Sequence, residues 1–161
     1  MTMAEHERHM RAAIALARRT SIEEQAGGPF GCVVVKDGKV IGQGANRVIA
    51  ENDPTWHAEM AAIRDACRAI GTRDLSQCTL YASGEPCPMC YAAAWWARVD
   101  GVFFASTVDD AVQFGDFDDG PICSALSLPV AQRPLAGQPL LREEMLKVWR
   151  AFQDMPDPIR Y

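Results

Sequence analysis

Apolar residues recur at helical spacing from the start of the chain. Met10, Ala13, Ile14 and Ala17 fall three or four apart with arginine and glutamate between them, which predicts an amphipathic helix over about residues 4–25. Gly27-Gly28-Pro29 ends it. The pattern then changes to that of strands. Phe30 to Val35 is rich in β-branched residues, Asp37-Gly38 marks a tight hairpin turn, and Val40 to Ala45 returns as a second strand that ends at Asn46. A polar loop follows and closes on Asn52-Asp53-Pro54-Thr55. There Asp53 is placed to cap, and Pro54 to occupy the first turn of, a helix over about 55–70. Met60, Ile63, Cys67 and Ile70 form its apolar stripe and Gly71 its stop.

Cys78 to Ala82 reads as a short strand, Ser83-Gly84-Glu85 as a turn, and Pro86 to Arg98 as a third helix. Val102 to Ala105 is the next strand, followed by a helical segment near 108–114. Strand, helix, strand, helix is the rhythm of a layered α/β domain with parallel neighbouring strands. Leu128 to Leu135 contains Pro129 and Pro134, which speak against a further strand. Leu140 to about Gln153 reads as a last helix. No repeat, low-complexity tract or linker breaks the pattern, so 161 residues are read as one domain, 1–161, large enough to bury a core without disulfides.

Composition narrows the class. Hydrophobic content of 48% and charged content of 23% are those of a soluble globular protein. The charged first residues lack the apolar core of a secretory signal, and the longest apolar run, Met89 to Ala97, is far too short to cross a bilayer. A cytoplasmic location is the resulting expectation, with no membrane partner. The net charge of −5 argues against a nucleic-acid partner, which generally meets a basic patch. Arg8, Arg11, Arg18 and Arg19 on the first helix form either a local patch or a solvated face, and the solvated face is preferred. Of six cysteines, Cys32, Cys67, Cys78 and Cys123 stand singly among apolar residues and read as small buried hydrophobes.

Cys87 and Cys90 are different. They lie three apart in Glu85-Pro86-Cys87-Pro88-Met89-Cys90, at the start of a predicted helix, so both sulfurs can face one ion. Pro88 suits the first turn, and a helix N-terminus favours thiolate, the form that binds metal. With His57 they make three soft ligands for Zn2+, the ligand count of a catalytic zinc with its fourth position open. Glu59 is the natural proton carrier for a water activated there. The combined pattern of His57-Ala58-Glu59 and Pro86-Cys87-Pro88-Met89-Cys90 matches the signature of zinc-dependent base deaminases. His57 and Glu59, two apart, converge only if His57 projects from the helix start and Glu59 reaches back, so two helix N-termini are expected to meet at the metal. Two other readings compete: a redox Cys-x-x-Cys, which comes too late in the chain for a thioredoxin-like unit, and a closed structural zinc, for which only His6 and His9 remain as extra histidines.

Beyond the zinc motif, Gly27-Gly28-Pro29-Phe30-Gly31, the Val-Val-Val-Lys-Asp-Gly hairpin, Asn52-Asp53-Pro54-Thr55 and Glu85-Pro86-Cys87-Pro88-Met89-Cys90 resemble bacterial guanine deaminases of the cytidine-deaminase-like superfamily. The resemblance covers roughly residues 10–125 and continues more loosely to the terminal tyrosine. It implies a three-layer α/β/α sandwich with a central five-stranded mixed sheet, a homodimer, and a C-terminal segment (about 138–161) exchanged between subunits. It also implies hydrolytic deamination of a free nucleobase, guanine to xanthine plus ammonia. By resemblance, Asn46 binds the purine ring, Phe30 forms an aromatic wall, Trp96 stands at the pocket edge, and Tyr161 enters the neighbouring site. Gly115-Asp116-Phe117-Asp118-Asp119 resembles a Gly-Phe-Asp-Asp motif whose second aspartate accepts from guanine, with one extra residue here. Counting from Cys90 selects Asp118, while matching through Gly120-Pro121-Ile122 selects Asp119, the preferred choice. Asn46 also suits a simple turn, and Phe30 and Trp96 suit core packing. Gly84 departs from the pattern, since relatives often carry cysteine there.

Deamination of adenosine in tRNA shares Pro-Thr-x-His-Ala-Glu and Pro-Cys-x-Met-Cys and is the alternative activity. It would call for basic terminal helices, whereas Glu143, Glu144, Asp154 and Asp157 balance the arginines and lysines of the tail. Cytosine, guanosine and aminotriazines are the alternative small substrates.

Overall fold

Asp37 and Gly38 both take left-handed backbone angles, φ 49° and 72°, as a two-residue hairpin turn demands. The chain reverses there between β1 (Gly31–Lys36) and β2 (Lys39–Ala45), which pair antiparallel. β3 (Cys78–Gly84) pairs antiparallel with the other edge of β1, and β4 (Gly101–Ser106) adds parallel to β3. The sheet order is β2-β1-β3-β4.

The structure is a computed structural model describing residues 1–160, and in it the sheet has four strands, not the five implied by resemblance. Among the described residues, the stretch around Pro129 and Pro134 holds only a 3₁₀ turn, Val130–Gln132. Two prolines there remove ladder donors, which accounts for the missing strand.

Alternation along β1 and β3 divides the interior into two clusters. Cys32, Val34, Leu80 and Ala82 face α3 (Ala58–Ile70) and α4 (Pro88–Trp96), meeting Ala58, Ala62, Ala66, Ala94 and Ala97. Val33, Val35 and Tyr81 face α1 (Met3–Arg18) and meet Leu16. The result is helix, sheet, helix: three layers around a mixed sheet.

α1 is held at its start by a reciprocal capping pair of Thr2 and Glu5. It does not run uniformly to 25 but widens into a π-helical turn over Arg19–Glu23. Its arginines are largely matched locally: Arg11 with Glu7 (2.7 Å), Arg18 with Glu23 (3.4 Å) and Arg19 with Glu24 (3.3 Å), all solvent-facing pairs. His6 and His9 turn inward to Tyr81 on this layer, with His6 Nδ1 2.7 Å from the Tyr81 hydroxyl, and take no part in the cysteine cluster.

α3 lies tightly against β2 because β2 carries glycine at its contact points. A Cβ at Gly42 would run into the backbone of Ala62 and Ala66, and one at Gly44 into that of Ala58 and Ala62. This small-residue seam brings the first turn of α3 alongside the end of β2, so that His57 and Asn46 share one end of the sheet. The helix starts at Ala58, not near 55. Asp53 is engaged in a local turn, accepting from the Thr55 amide and hydroxyl at 2.8 Å each, so it does not cap α3. A short helix unforeseen in the polar loop, α2 (Val48–Glu51), ends at Asn52 in left-handed conformation.

The chain separates into two compact units, Met1–Pro121 and a second beginning at Ile122. The first includes α5 (Val108–Gly115), capped by Thr107 and Asp110. The second holds most of α6 (Gly120–Ser127) and α7 (Arg142–Gln153). Arg133 donates to the carbonyls of Leu126 and Leu128, closing the turn after α6. Leu135, Leu140, Val148 and Trp149 of this unit are exposed. Among the described residues, no helix is long and apolar enough to cross a membrane.

Candidate active site

His57 occupies the N-cap of α3 with extended backbone angles (φ −77°, ψ 156°), just outside the helix, while Glu59 lies in its first turn. This break in helical geometry lets two residues of nominally opposed faces point into one site. Cys87 is likewise the N-cap of α4 (φ −62°, ψ 166°), Pro88 fills the first turn, and Cys90 follows on the same face. Two helix N-termini therefore meet. His57 Nδ1 lies 3.5 Å from the Sγ atoms of both Cys87 and Cys90, and the three ligand atoms all fall within 4.8 Å of one another.

The donor set fits zinc. Tetrahedral coordination with Zn–S about 2.3 Å and Zn–N about 2.0–2.1 Å requires S···N separations of about 3.6 Å. Those of His57 with each cysteine are close to this. The Cys87 thiol is held well below the usual thiol range, chiefly because Cys90 and then His57 hydrogen-bond its thiolate. Cys90 is pushed up by that same interaction with Cys87, by burial and by Glu59. Both would bind a cation as thiolates. The contact with Cys87 raises the His57 pKa.

Glu59 is almost fully buried, with Oε2 3.3 Å from Cys90 Sγ. Burial, first among the causes, raises its pKa, which suits a carboxyl that both takes and gives protons. The nearby Cys32 is buried and its thiol is pushed well up by burial, which leaves it inert.

A cavity of about 550 Å³ opens onto these groups, lined by Phe30, Asn46, His57, Glu59, Cys87 and Asp119 among others. The Asn46 side chain is buried, and its Oδ1 accepts from the Gly28 amide (3.2 Å) and the Val48 amide (3.3 Å). Both lone pairs of that oxygen are therefore spent on the protein's own loop, and the NH₂ is what Asn46 has to offer a ligand. The turn-forming and ligand-binding readings of Asn46 are thus compatible. Phe30 packs on the core and also lines the cavity, with Phe117 edge-on to it at 5.1 Å between centroids.

The two aspartates separate. Asp119 lines the cavity, its pKa raised by burial and by Cys87. Asp118 does not line it, and Oδ1 of Asp118 accepts from the Gly120 amide at 2.8 Å. Trp96 sits on an exposed face of α4 and does not line the cavity. Tyr161 lies outside the described residues. Phe117, Glu85 and Ile49 line the cavity without having been singled out in the sequence. Phe117 and Glu85 belong to the motifs that carry Asp119 and Cys87, and adjacency was the available signal. Ile49 belongs to α2, for which there was none.

Comparison with known proteins agrees with this chemistry. Residues 3–106 match the cytidine and deoxycytidylate deaminase zinc-binding region. The chain is 40% identical over 156 residues to the guanine deaminase of Bacillus subtilis, covering 97% of this chain and 99% of that one. The crystal structure of that enzyme superposes with a TM-score of 0.91, covering 97% and 98% of the two chains. A tRNA-specific adenosine deaminase from Agrobacterium fabrum is also 40% identical, but over 104 residues, 65% of this chain and 67% of its own. The chain therefore belongs to the cytidine and deoxycytidylate deaminase family of zinc-binding enzymes, and within it is similar to a guanine deaminase over nearly its whole length.

Proposed function

We propose that the protein is a cytoplasmic, zinc-dependent aminohydrolase that converts guanine and water to xanthine and ammonia. The observation that carries this reading is the similarity to guanine deaminase over 97% of the chain, together with Asn46 and Asp119 lining the same cavity as His57, Glu59 and Cys87. The tRNA-specific relative matches over only 65% of the chain, and a net charge of −5 does not favour a polyanionic substrate.

His57 Nδ1 and the thiolates of Cys87 and Cys90 would hold a zinc ion, which would supply hydroxide at neutral pH. Glu59 takes the proton released from the water and passes it to the ring nitrogen beside the attacked carbon. Once the C–O bond has formed, Glu59 takes the proton of the hydroxyl now on that carbon to the exocyclic amine, so that the C–N bond breaks, the carbonyl forms and ammonia departs. Phe30 and Phe117 bound the flat base, the Asn46 NH₂ donates to a ring acceptor, and Asp119 accepts from guanine N–H groups, where a carboxylate can take two at once.

The test is ammonia release by zinc-replete protein on guanine, guanosine, cytosine, adenine and an adenosine-bearing tRNA anticodon loop, with Glu59→Ala beside it. Guanine turnover that disappears in Glu59→Ala, with zinc content unchanged, is expected. Turnover of another substrate with silence on guanine refutes the assignment, and full activity in Glu59→Ala removes Glu59 from its role.

The exposed Tyr91, Trp95 and Trp96 of α4, and separately the exposed apolar residues of the second unit, support a homodimer with an exchanged C-terminal segment. Sedimentation at micromolar protein is expected to give a dimer, and a monomer refutes it.

A further inference from the structure

We infer that a second cavity, at the edge of β2 and separate from the catalytic one, is a binding site for a nucleoside monophosphate, a flat ring carrying a phosphomonoester. The site is independent of which base the enzyme deaminates.

The cavity, about 490 Å³, has room for a mononucleotide. Its walls come from the end of α1 and the turn after it, the edge of β2 and the outer face of α3. Four arginines line it, Arg19, Arg47, Arg64 and Arg68, against two carboxylates, Glu24 and Asp65. In a chain of net charge −5 this hollow therefore carries an excess of two positive charges. A phosphomonoester carries about −1.5 to −2 at neutral pH, which matches.

The carboxylates leave two of the arginines unopposed. Glu24 takes both Arg19 (3.3 Å) and Arg47 (3.1 Å), and Glu51 also takes Arg47 at 2.9 Å. Asp65 is turned to the strand, where its Oδ2 accepts from the Gln43 amide at 3.0 Å. Arg64 and Arg68 are exposed, and among the described residues neither makes an ion pair. The Asp53 carboxyl, lowered chiefly by Thr55, feels Arg64 only as a weaker charge. The two arginines stand four apart on α3, neighbours on one face, where like charges repel. A phosphate between them relieves that repulsion and accepts from both guanidinium forks.

The strand edge adds a donor. The Gln43 amide points away from β1, toward Asp65, so the Ala45 amide, two residues on, faces the same way. The register agrees, since the Gly31 amide opposite Ala45 donates to Ser83 Oγ and not to β2. Ala45 lines this cavity. The ring of the ligand is met by Trp56, which is half-buried in the wall; an indole beside guanidinium groups stacks a flat base.

Adjacent residues here look opposite ways. Asn46 and His57 line the catalytic cavity, whereas Arg47 and Trp56, next to each in sequence, line this one. The Arg47 amide donates to the Trp56 carbonyl at 3.1 Å, which joins the two segments. A nucleotide in the groove thus rests against the back of two active-site segments without entering the active site.

The experiment is calorimetric titration of zinc-loaded protein with adenosine 5′-monophosphate, adenosine and inorganic phosphate. Wild type, the double variant Arg64→Ala/Arg68→Ala and Trp56→Leu are compared, with zinc content and Tm read alongside. The monophosphate is expected to bind wild type with a Kd below about 1 mM, and adenosine and phosphate each at least about tenfold more weakly. The double variant is expected to weaken monophosphate binding at least about tenfold with zinc content and Tm unchanged, since both side chains are exposed and outside the catalytic cavity. Trp56→Leu is expected to weaken it about tenfold and to leave phosphate binding as it was. Monophosphate binding that survives loss of both arginines overturns the inference, because the nucleotide then lies elsewhere, the catalytic cavity included. So does phosphate binding as tight as that of the monophosphate, which marks a bare anion site. Capture of a tRNA anticodon stem–loop with no binding of the monophosphate overturns it as well. If Trp56→Leu does not fold, the double variant, changed only at the surface, decides alone.

Discussion

Asn46 has two jobs that one pair of substitutions can separate. Its Oδ1 accepts from the Gly28 amide at 3.2 Å and the Val48 amide at 3.3 Å, tying the loop before β1 to the loop after β2. Asn46→Ala removes both acceptor contacts at once. A buried amide left unpaired costs about 1–3 kcal/mol, and these two bonds are long and partly buried, so about 1 kcal/mol each, or about 2 in total, is the reasonable figure. Asn46→Asp keeps an oxygen at the same place but replaces the NH₂ donor with a second acceptor. Its stability is expected to stay within about 1 kcal/mol of wild type while guanine affinity falls at least tenfold, since a donor becomes an acceptor facing an acceptor. Urea denaturation followed by tryptophan fluorescence reads the first quantity, and calorimetric titration with guanine the second. If Asn46→Asp is as unstable as Asn46→Ala, the oxygen does not hold the loops. If it binds guanine as wild type does, the NH₂ does not face the ligand.

Gly44→Ala inserts a methyl where the backbone of Ala58 and Ala62 already lies, so α3 must lift from β2. A loss of about 1–3 kcal/mol in urea denaturation is expected, accompanied by weaker zinc retention because His57 caps the displaced helix; unchanged stability refutes the close-approach reading. His9 is buried beside Tyr81, and burial, then the Arg8 charge, lowers its pKa against the opposing pull of Glu5. A histidine depressed in the fold binds its proton more readily when unfolded, so its contribution is full above about pH 6.5 and is lost as pH falls below that. His9→Phe should therefore lose less stability than wild type between about pH 7.5 and 5.5, and identical acid limbs in the two proteins would refute the assignment.

Much of this molecule is legible in its sequence. The hairpin at Asp37-Gly38, the strand at Cys78 and the helices after His57 and Cys87 all follow from period and punctuation, which are local properties of the chain. The misplaced helix start near residue 55 shows the limit of such reading: Asp53 had a choice between capping a helix and closing a turn with Thr55, and sequence alone does not rank the two. The same holds for the fifth strand, which resemblance supplied and Pro129 and Pro134 opposed.

The zinc-ligand types and their spacing were determined by sequence alone, because a thiolate, an imidazole and a carboxylate keep their chemistry wherever the chain puts them. Tertiary structure decided which residues share the cavity. Asp119 reaches it and Asp118 does not; Phe117 enters and Trp96 stays outside; Asn46 spends its oxygen on the fold and keeps only its NH₂ for a ligand. These outcomes depend on how glycine-lined close approaches at Gly42, Gly44, Gly28 and Gly84 bring distant segments together. Whether two groups far apart in the chain face the same few ångströms is set by packing, and no local pattern encodes it.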